Sequence, residues 1–296
     1  QGPGHSHWSY EDLEHWDEVY QDCGGHVQSP INIDTATTIF SPQLRPIQLS
    51  GYSLPANEKL RLVNNGHTVQ LDLPASLAIT GGFAQQYRAV QLHLHWGSMS
   101  GPGSEHTVNG PGLHLASVLS VWQVGTVENP YYQQILEHLY QIKREGEEAL
   151  VPGFNIAGLL PANLKLYFHY NGSLTTPPCY QTVKWTIFNQ TMLLSQDQMS
   201  VLVTSLRTGN SKHLENNYRP VQNLHGRRVL ASFQTTLPSV KHSPSGDVLA
   251  VLFGVLFAIT ALAFLLYIYK HRSQNTRLDS PTKSKVIYTA ATTENT

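Results

Sequence analysis

Residues 91–97 read Gln-Leu-His-Leu-His-Trp-Gly, and His93 and His95 in that run are the residue types and spacing with the most chemistry in them. On a strand, residues i and i+2 face the same way. With Leu94 turned to the opposite face, the two imidazoles project into one space, as two ligands of a neutral-imidazole metal site do. The alternative for a lone His-x-His is a pair of hydrogen-bonded core histidines, which the spacing alone does not exclude.

The elements that would position this pair are short. Over residues 1–235, apolar or alternating runs at 60–63, 68–73, 90–95, 164–170 and 183–188 are separated by Gly, Pro and Asn, the texture of one β-rich domain. Residues 131–145 carry Ile135, Leu136, Leu139 and Ile142 at near-helical spacing, and 195–206 is a second helix candidate. The chain has 296 residues, is 41% hydrophobic and 13% charged, and holds 22 Gly and 17 Pro, which suits a turn-rich globular protein. A net charge of -1 gives no sign of a nucleic-acid surface or of strong steering of a charged partner. Fifteen histidines in a charge-poor chain lean toward metal or proton chemistry.

Residues 248–269 form an uncharged apolar run long enough to span a bilayer. Lys270, Arg272, Arg277, Lys283 and Lys285 follow it, so the positive-inside tendency puts the tail, 270–296, in the cytoplasm and the large domain outside. The expectation is a single-pass type I plasma-membrane protein with a short polar stalk at 236–247. The chain begins at Gln1 without Met, so any signal peptide is removed or unrecorded. An outside location reads Cys23 and Cys179 as a disulfide rather than a metal or redox pair. Asn171-Gly172-Ser173 and Asn189-Gln190-Thr191 are glycosylation sequons on the same side.

Around the histidine pair, Trp8-Ser9-Tyr10, Gln28-Ser29-Pro30-Ile31-Asn32-Ile33 and Asn64-Asn65-Gly66-His67-Thr68 come before it. Gly103-Ser104-Glu105-His106-Thr107-Val108, Gly172-Ser173-Leu174-Thr175-Thr176-Pro177-Pro178-Cys179 and Tyr218-Arg219-Pro220 come after it. In that order the motifs resemble those of the α-class carbonic anhydrases, and the apolar segment and cysteine pair resemble the membrane-bound members. The resemblance covers nearly the whole chain. It implies a mostly β (α+β) fold, with a large, mainly antiparallel central sheet, short peripheral helices and a conical cleft. It also implies Zn2+ as cofactor and CO2 and bicarbonate as substrates, hydrated reversibly at the cell surface in the service of pH regulation.

Carried over by position, His93 and His95 correspond to two of three zinc ligands, with Gln91 as a candidate to orient one of them. Thr175 corresponds to the threonine that accepts a hydrogen bond from the zinc-activated water, and Glu105 to the carboxylate that takes the threonine's proton. Thr176 would help hold bicarbonate, and His67 matches the proton shuttle. Tyr10, Asn65 and Gln70 fall on the cleft wall.

One stretch departs from the family. After Gly110 the chain reads Pro111-Gly112-Leu113-His114-Leu115-Ala116, with room for one of the two strands the family carries there, so roughly thirty residues are missing by comparison. If Leu113-His114-Leu115 is the ligand strand, His114 is the third ligand, without the glutamate that orients it in the family. If residues 116–125 are instead the later strand, His114 is a leftover at the junction. Two functional classes follow: a zinc enzyme, and a catalytically silent ectodomain that binds an unidentified protein partner. In both, one central strand is missing or displaced, and one transmembrane helix follows the domain.

Overall fold

The computed structural model describes residues 8–99, 101, 103–110, 115–117, 120–235 and 244–278. His114, residues 236–243 of the expected stalk and the tail from 279 onward lie outside the described residues. The chain divides into two compact units, Gln1–Leu237 and Pro238–Thr296.

The first unit is built mainly from strands, most of them paired antiparallel, with a few short helices. Lys59–Asn64, with its buried Leu60 and Leu62, pairs antiparallel with Val69–Asp72, whose Val69 and Leu71 are buried in turn. The link between them is dictated by side-chain chemistry. Asn65 Oδ1 accepts from the His67 and Thr68 amides at 3.0 and 2.9 Å, and Gly66 adopts φ +88°, which glycine alone takes without penalty.

Val69–Asp72 pairs on its other side with Gln91–His93, placing Gln70 opposite His93. The resulting four-stranded sheet runs Glu148–Pro152, Lys59–Asn64, Val69–Asp72, Gln91–His93. A second four-stranded sheet runs Val183–Phe188, Tyr167–Gly172, Leu230–Ala231, Ile39–Phe40. Among the described residues, Gln91–His93 and Val183–Phe188 are outer strands, each paired on one side only. A cavity of about 180 Å³ lies along Val183–Phe188, walled by Ile47, Tyr52, Phe83 and Tyr87. Ser120–Gly125 pairs antiparallel with Leu115–Ser117 and parallel with Met192–Ser195.

The helix expected over 131–145 is shorter. Pro130–Leu136 is α-helical, capped by Asn129, whose side chain accepts from the Tyr131 and Tyr132 amides, and a 3-10 turn, Leu139–Gln141, follows. Tertiary contacts override the helical period there, because buried Asn64 Nδ2 donates to the Ile142 and Lys143 carbonyls, each at 3.2 Å. The second candidate is borne out as Gln196–Ser205, begun by a capping box between Ser195 and Gln198.

In the second unit, the helix Pro244–Leu278 starts inside the expected stalk and includes Ala250–Arg272, which is long and apolar enough to cross a membrane.

Candidate active site

His93 and His95 lie with their ring centroids 4.9 Å apart and their planes at 74°. His93 Nδ1 donates to Gln91 Oε1 at 2.9 Å, and His95 Nδ1 donates to the Asn217 carbonyl at 2.7 Å. A carbonyl oxygen can only accept, so both protons sit on Nδ1 and both Nε2 atoms keep their lone pairs. His95 Nε2 is buried and, among the described residues, has no hydrogen-bond partner. A neutral imidazole with its Nδ1 proton held and its Nε2 unsatisfied has the chemistry of a metal donor. Burial, helped by the neighbouring His95, lowers the His93 pKa to about 3, and burial lowers that of His95 to about 4 against the opposing pull of the Asn217 carbonyl.

These two donors fit Zn2+. Among the described residues no group of three His, Cys, Asp or Glu side chains assembles around a common point, so the described donor set is a pair.

Glu105 is 2% exposed, with Oε1 3.4 Å from His95 Nδ1. It accepts from the Arg219 amide at 3.3 Å, and the Thr175 hydroxyl hydrogen-bonds its carboxylate. In its ionised form the carboxylate only accepts, so Thr175 then donates to it and turns its own lone pairs elsewhere. Burial pushes the Glu105 pKa up to about 7, while Thr175 and Arg219 pull it down. The same carboxylate, second to burial, drives the Tyr10 hydroxyl well above its ordinary value.

His67 stacks on Trp8 with centroids 3.7 Å apart and planes within 9°, and its carbonyl accepts from Asn217 Nδ2 at 3.0 Å. With Tyr10 it lines a cavity of about 470 Å³ whose walls include Glu145 and Lys212 but neither His93 nor His95. Gln70 Nε2 donates to Asp72 Oδ1 at 2.8 Å, and exposed Asn65 spends its side-chain oxygen on the turn. Thr176 is half-buried, its carbonyl accepting from the Cys179 amide at 2.9 Å. Cys23 and Cys179 are bonded, with 5.0 Å between their Cα atoms. Asn171 and Asn189 are both exposed.

The structure adds residues that the sequence reading left unassigned. Asn217 is fully buried: its Oδ1 accepts from the Trp96 amide at 2.7 Å while its Nδ2 reaches the carbonyls of His67 and Leu94. Arg219 anchors the N-terminal segment through Gln28 Oε1 and the Ser29 and Cys23 carbonyls. His106 Nε2 meets the Tyr170 hydroxyl at 2.5 Å, and that hydroxyl meets Ser29 Oγ at 2.8 Å. The Tyr218-Arg219-Pro220 motif points to this neighbourhood, but no local signal singles out Asn217.

The sequence profile of the eukaryotic-type carbonic anhydrase family matches residues 11–115 and 112–233. The chain is 35% identical over 323 positions to carbonic anhydrase 12 of Homo sapiens, covering 97% of this chain and 90% of the relative. It is 36% identical over 258 positions to carbonic anhydrase 6 of Bos taurus, covering 76% and 80%, and 35% identical over 265 positions to carbonic anhydrase 7 of Homo sapiens, covering 78% and 99%. Matched over most of its length by both profile and relatives, the chain belongs to the eukaryotic-type carbonic anhydrase family.

Proposed function

We propose that this chain is a membrane-anchored carbonic anhydrase of the type of the transmembrane isoform carbonic anhydrase XIV, catalysing reversible hydration of CO2 outside the plasma membrane with Zn2+ as cofactor. The observation that carries the reading is the pair of neutral imidazoles whose Nδ1 protons are held by Gln91 and Asn217, leaving the Nε2 lone pairs for a metal. When bound, Zn2+ supplies activation of a water molecule as a nucleophile at neutral pH, chemistry for which carbonic anhydrases are the type case.

This chain's own residues would do the rest. Thr175, with its proton committed to Glu105, presents only lone pairs to the attacking water and so fixes its orientation toward CO2. Thr176, next in the chain, would bind bicarbonate. His67, at the wall of the 470 Å³ cavity beside Tyr10, would pass protons to solvent, general acid–base work that a positioned imidazole does. Asn65, Gln70 and Gln91 would line the approach. The type I orientation rests on the cations after the apolar helix, and Asn171 and Asn189, both exposed, are the proposed glycan acceptors.

A second reading, an ectodomain impaired in zinc binding that serves a protein partner, is supported by three observations. The family match falls into two pieces that meet at 112–115. The alignment to carbonic anhydrase 12 runs over 323 positions, more than this chain's 296 residues, so it holds gaps in this chain. Among the described residues, the expected central sheet is divided between two four-stranded sheets. In this reading the segment with the third ligand is absent and His114 is the remaining candidate donor.

Zinc content of the purified protein at fixed free Zn2+, measured with stopped-flow CO2 hydration, separates the two. Stoichiometric zinc lost in His95→Ala, with turnover that falls in Thr175→Ala while zinc stays bound, supports the enzyme. Zinc that never reaches stoichiometry, with no hydration above background, supports the impaired ectodomain. Zinc that disappears in His114→Ala identifies the third donor.

A further inference from the structure

A second pair of histidines lies outside this site. His26 and His225 are 199 positions apart in sequence, both exposed, with ring centroids 4.5 Å apart and planes at 76°. The pair proposed to hold zinc has nearly the same disposition, at 4.9 Å and 74°.

Both rings are carried by anchored backbone. His26 lies between the Cys23–Cys179 disulfide and Val27, whose amide donates to Gln181 Oε1 at 2.7 Å. His225 sits at the tip of a turn closed by the Arg227 amide on the Leu224 carbonyl at 3.0 Å. In that turn His225 has φ +49° and Gly226 φ +79°. Two successive left-handed residues are the pattern of a type I′ turn, whose first central position favours Asn, Asp or Gly, so a histidine there costs backbone energy and is a pointer to function.

The two segments are also joined. Arg227 Nη2 donates to the Gln28 carbonyl at 2.6 Å, and Nη1 donates to the Asn171 carbonyl at 3.1 Å. The guanidinium is turned inward over the Tyr170 ring, so this charge is spent on carbonyls and the ring rather than on the histidine pair. The rings therefore meet without either segment having to move, which is the preorganisation that a two-imidazole site needs.

We propose that His26 and His225 form a surface site for a divalent transition-metal cation, with water completing its coordination. Imidazole suits Cu2+, Ni2+ and Zn2+, and Cu2+ binds most tightly by the general order of affinities. This site is independent of the zinc reading, since it shares no residue with it.

The probe is Cu2+, titrated into the purified full-length protein in detergent, with bound copper per chain measured by equilibrium dialysis and elemental analysis. His26→Ala and His225→Asn should each lose one equivalent of copper that His95→Ala retains. Asn is at home in the left-handed turn, so His225→Asn should keep its thermal midpoint, separating loss of a ligand from loss of fold. Copper content unchanged from wild type in both variants at the same free Cu2+ overturns the site.

Discussion

The inner pair, half-buried His93 and buried His95, and the surface pair, His26 and His225, present their rings at almost the same distance and angle, yet the protein secures them by opposite means. In the inner pair the side chains themselves are held. Each Nδ1 has its acceptor, one from two residues away and one from residue 217, and the charged form is suppressed by burial. In the surface pair the backbone is held, by a disulfide, an arginine and a strained turn, while the rings face solvent. Ring geometry alone therefore does not make a catalytic centre. A fixed tautomer and deeper burial distinguish the first pair.

The largest effect expected of that comparison comes from Asn217. Asn217→Ala strips partners from the Trp96 amide and from the His67 and Leu94 carbonyls in a fully buried place. It should cost about 3 kcal/mol or more, read as a lower urea midpoint. Zinc should add stability through the inner pair, by about 2.7 kcal/mol when free metal is a hundred times the dissociation constant. His95→Ala should abolish that gain, and an upward thermal shift on adding zinc that survives the substitution would detach the pair from the metal.

Acid separates the regions next. His106, whose Nε2 meets the Tyr170 hydroxyl, has its pKa lowered to about 3, chiefly by burial and then by His95. Its folded value lies below its unfolded value of about 6.5, so the unfolded chain takes up the proton first. The stability that the neutral form gives is complete above pH 6.5 and is lost progressively as pH falls toward 3, at up to about 1.4 kcal/mol per pH unit. His106→Gln should flatten that slope in urea titrations between pH 6.5 and 4. An unchanged slope would show that His106 is not held neutral.

The smallest effect belongs to the surface turn. His225→Gly should raise stability by roughly 0.5–1 kcal/mol by relieving the left-handed histidine, and should remove copper at the same time. A drop in stability would show that the ring makes contacts worth more than the strain.

The alternation over 91–95 is a signal acting over a few neighbours, and it agrees with the structure, where the His93 and His95 rings lie 4.9 Å apart although the strand Gln91–His93 ends before His95. Asn217 could not be found that way. Its value lies in contacts with Trp96 and His95 from more than a hundred residues away, and nothing in Glu215-Asn216-Asn217-Tyr218 distinguishes the buried asparagine from its exposed neighbour. His106, Tyr170 and Ser29 are similar, since each is ordinary in its own strand or loop and meaningful only once three separate segments meet. The helix expected over 131–145 stops short for the same reason: Asn64 captures the Ile142 and Lys143 carbonyls from across the domain.

Because Asn217 aligns His95, the pair cannot take its final form on a chain that is still being made through residue 200. Residues 91–97 leave the ribosome more than a hundred positions before their partner does, an interval of several seconds at about 5–20 residues per second. During that interval His95 Nδ1 and the Trp96 amide lack the acceptors that Asn217 later supplies. Assembly of the centre is thus tied to the last part of the domain to be synthesised, and a truncated product ending before Asn217 should carry the histidine pair without the arrangement that makes it useful.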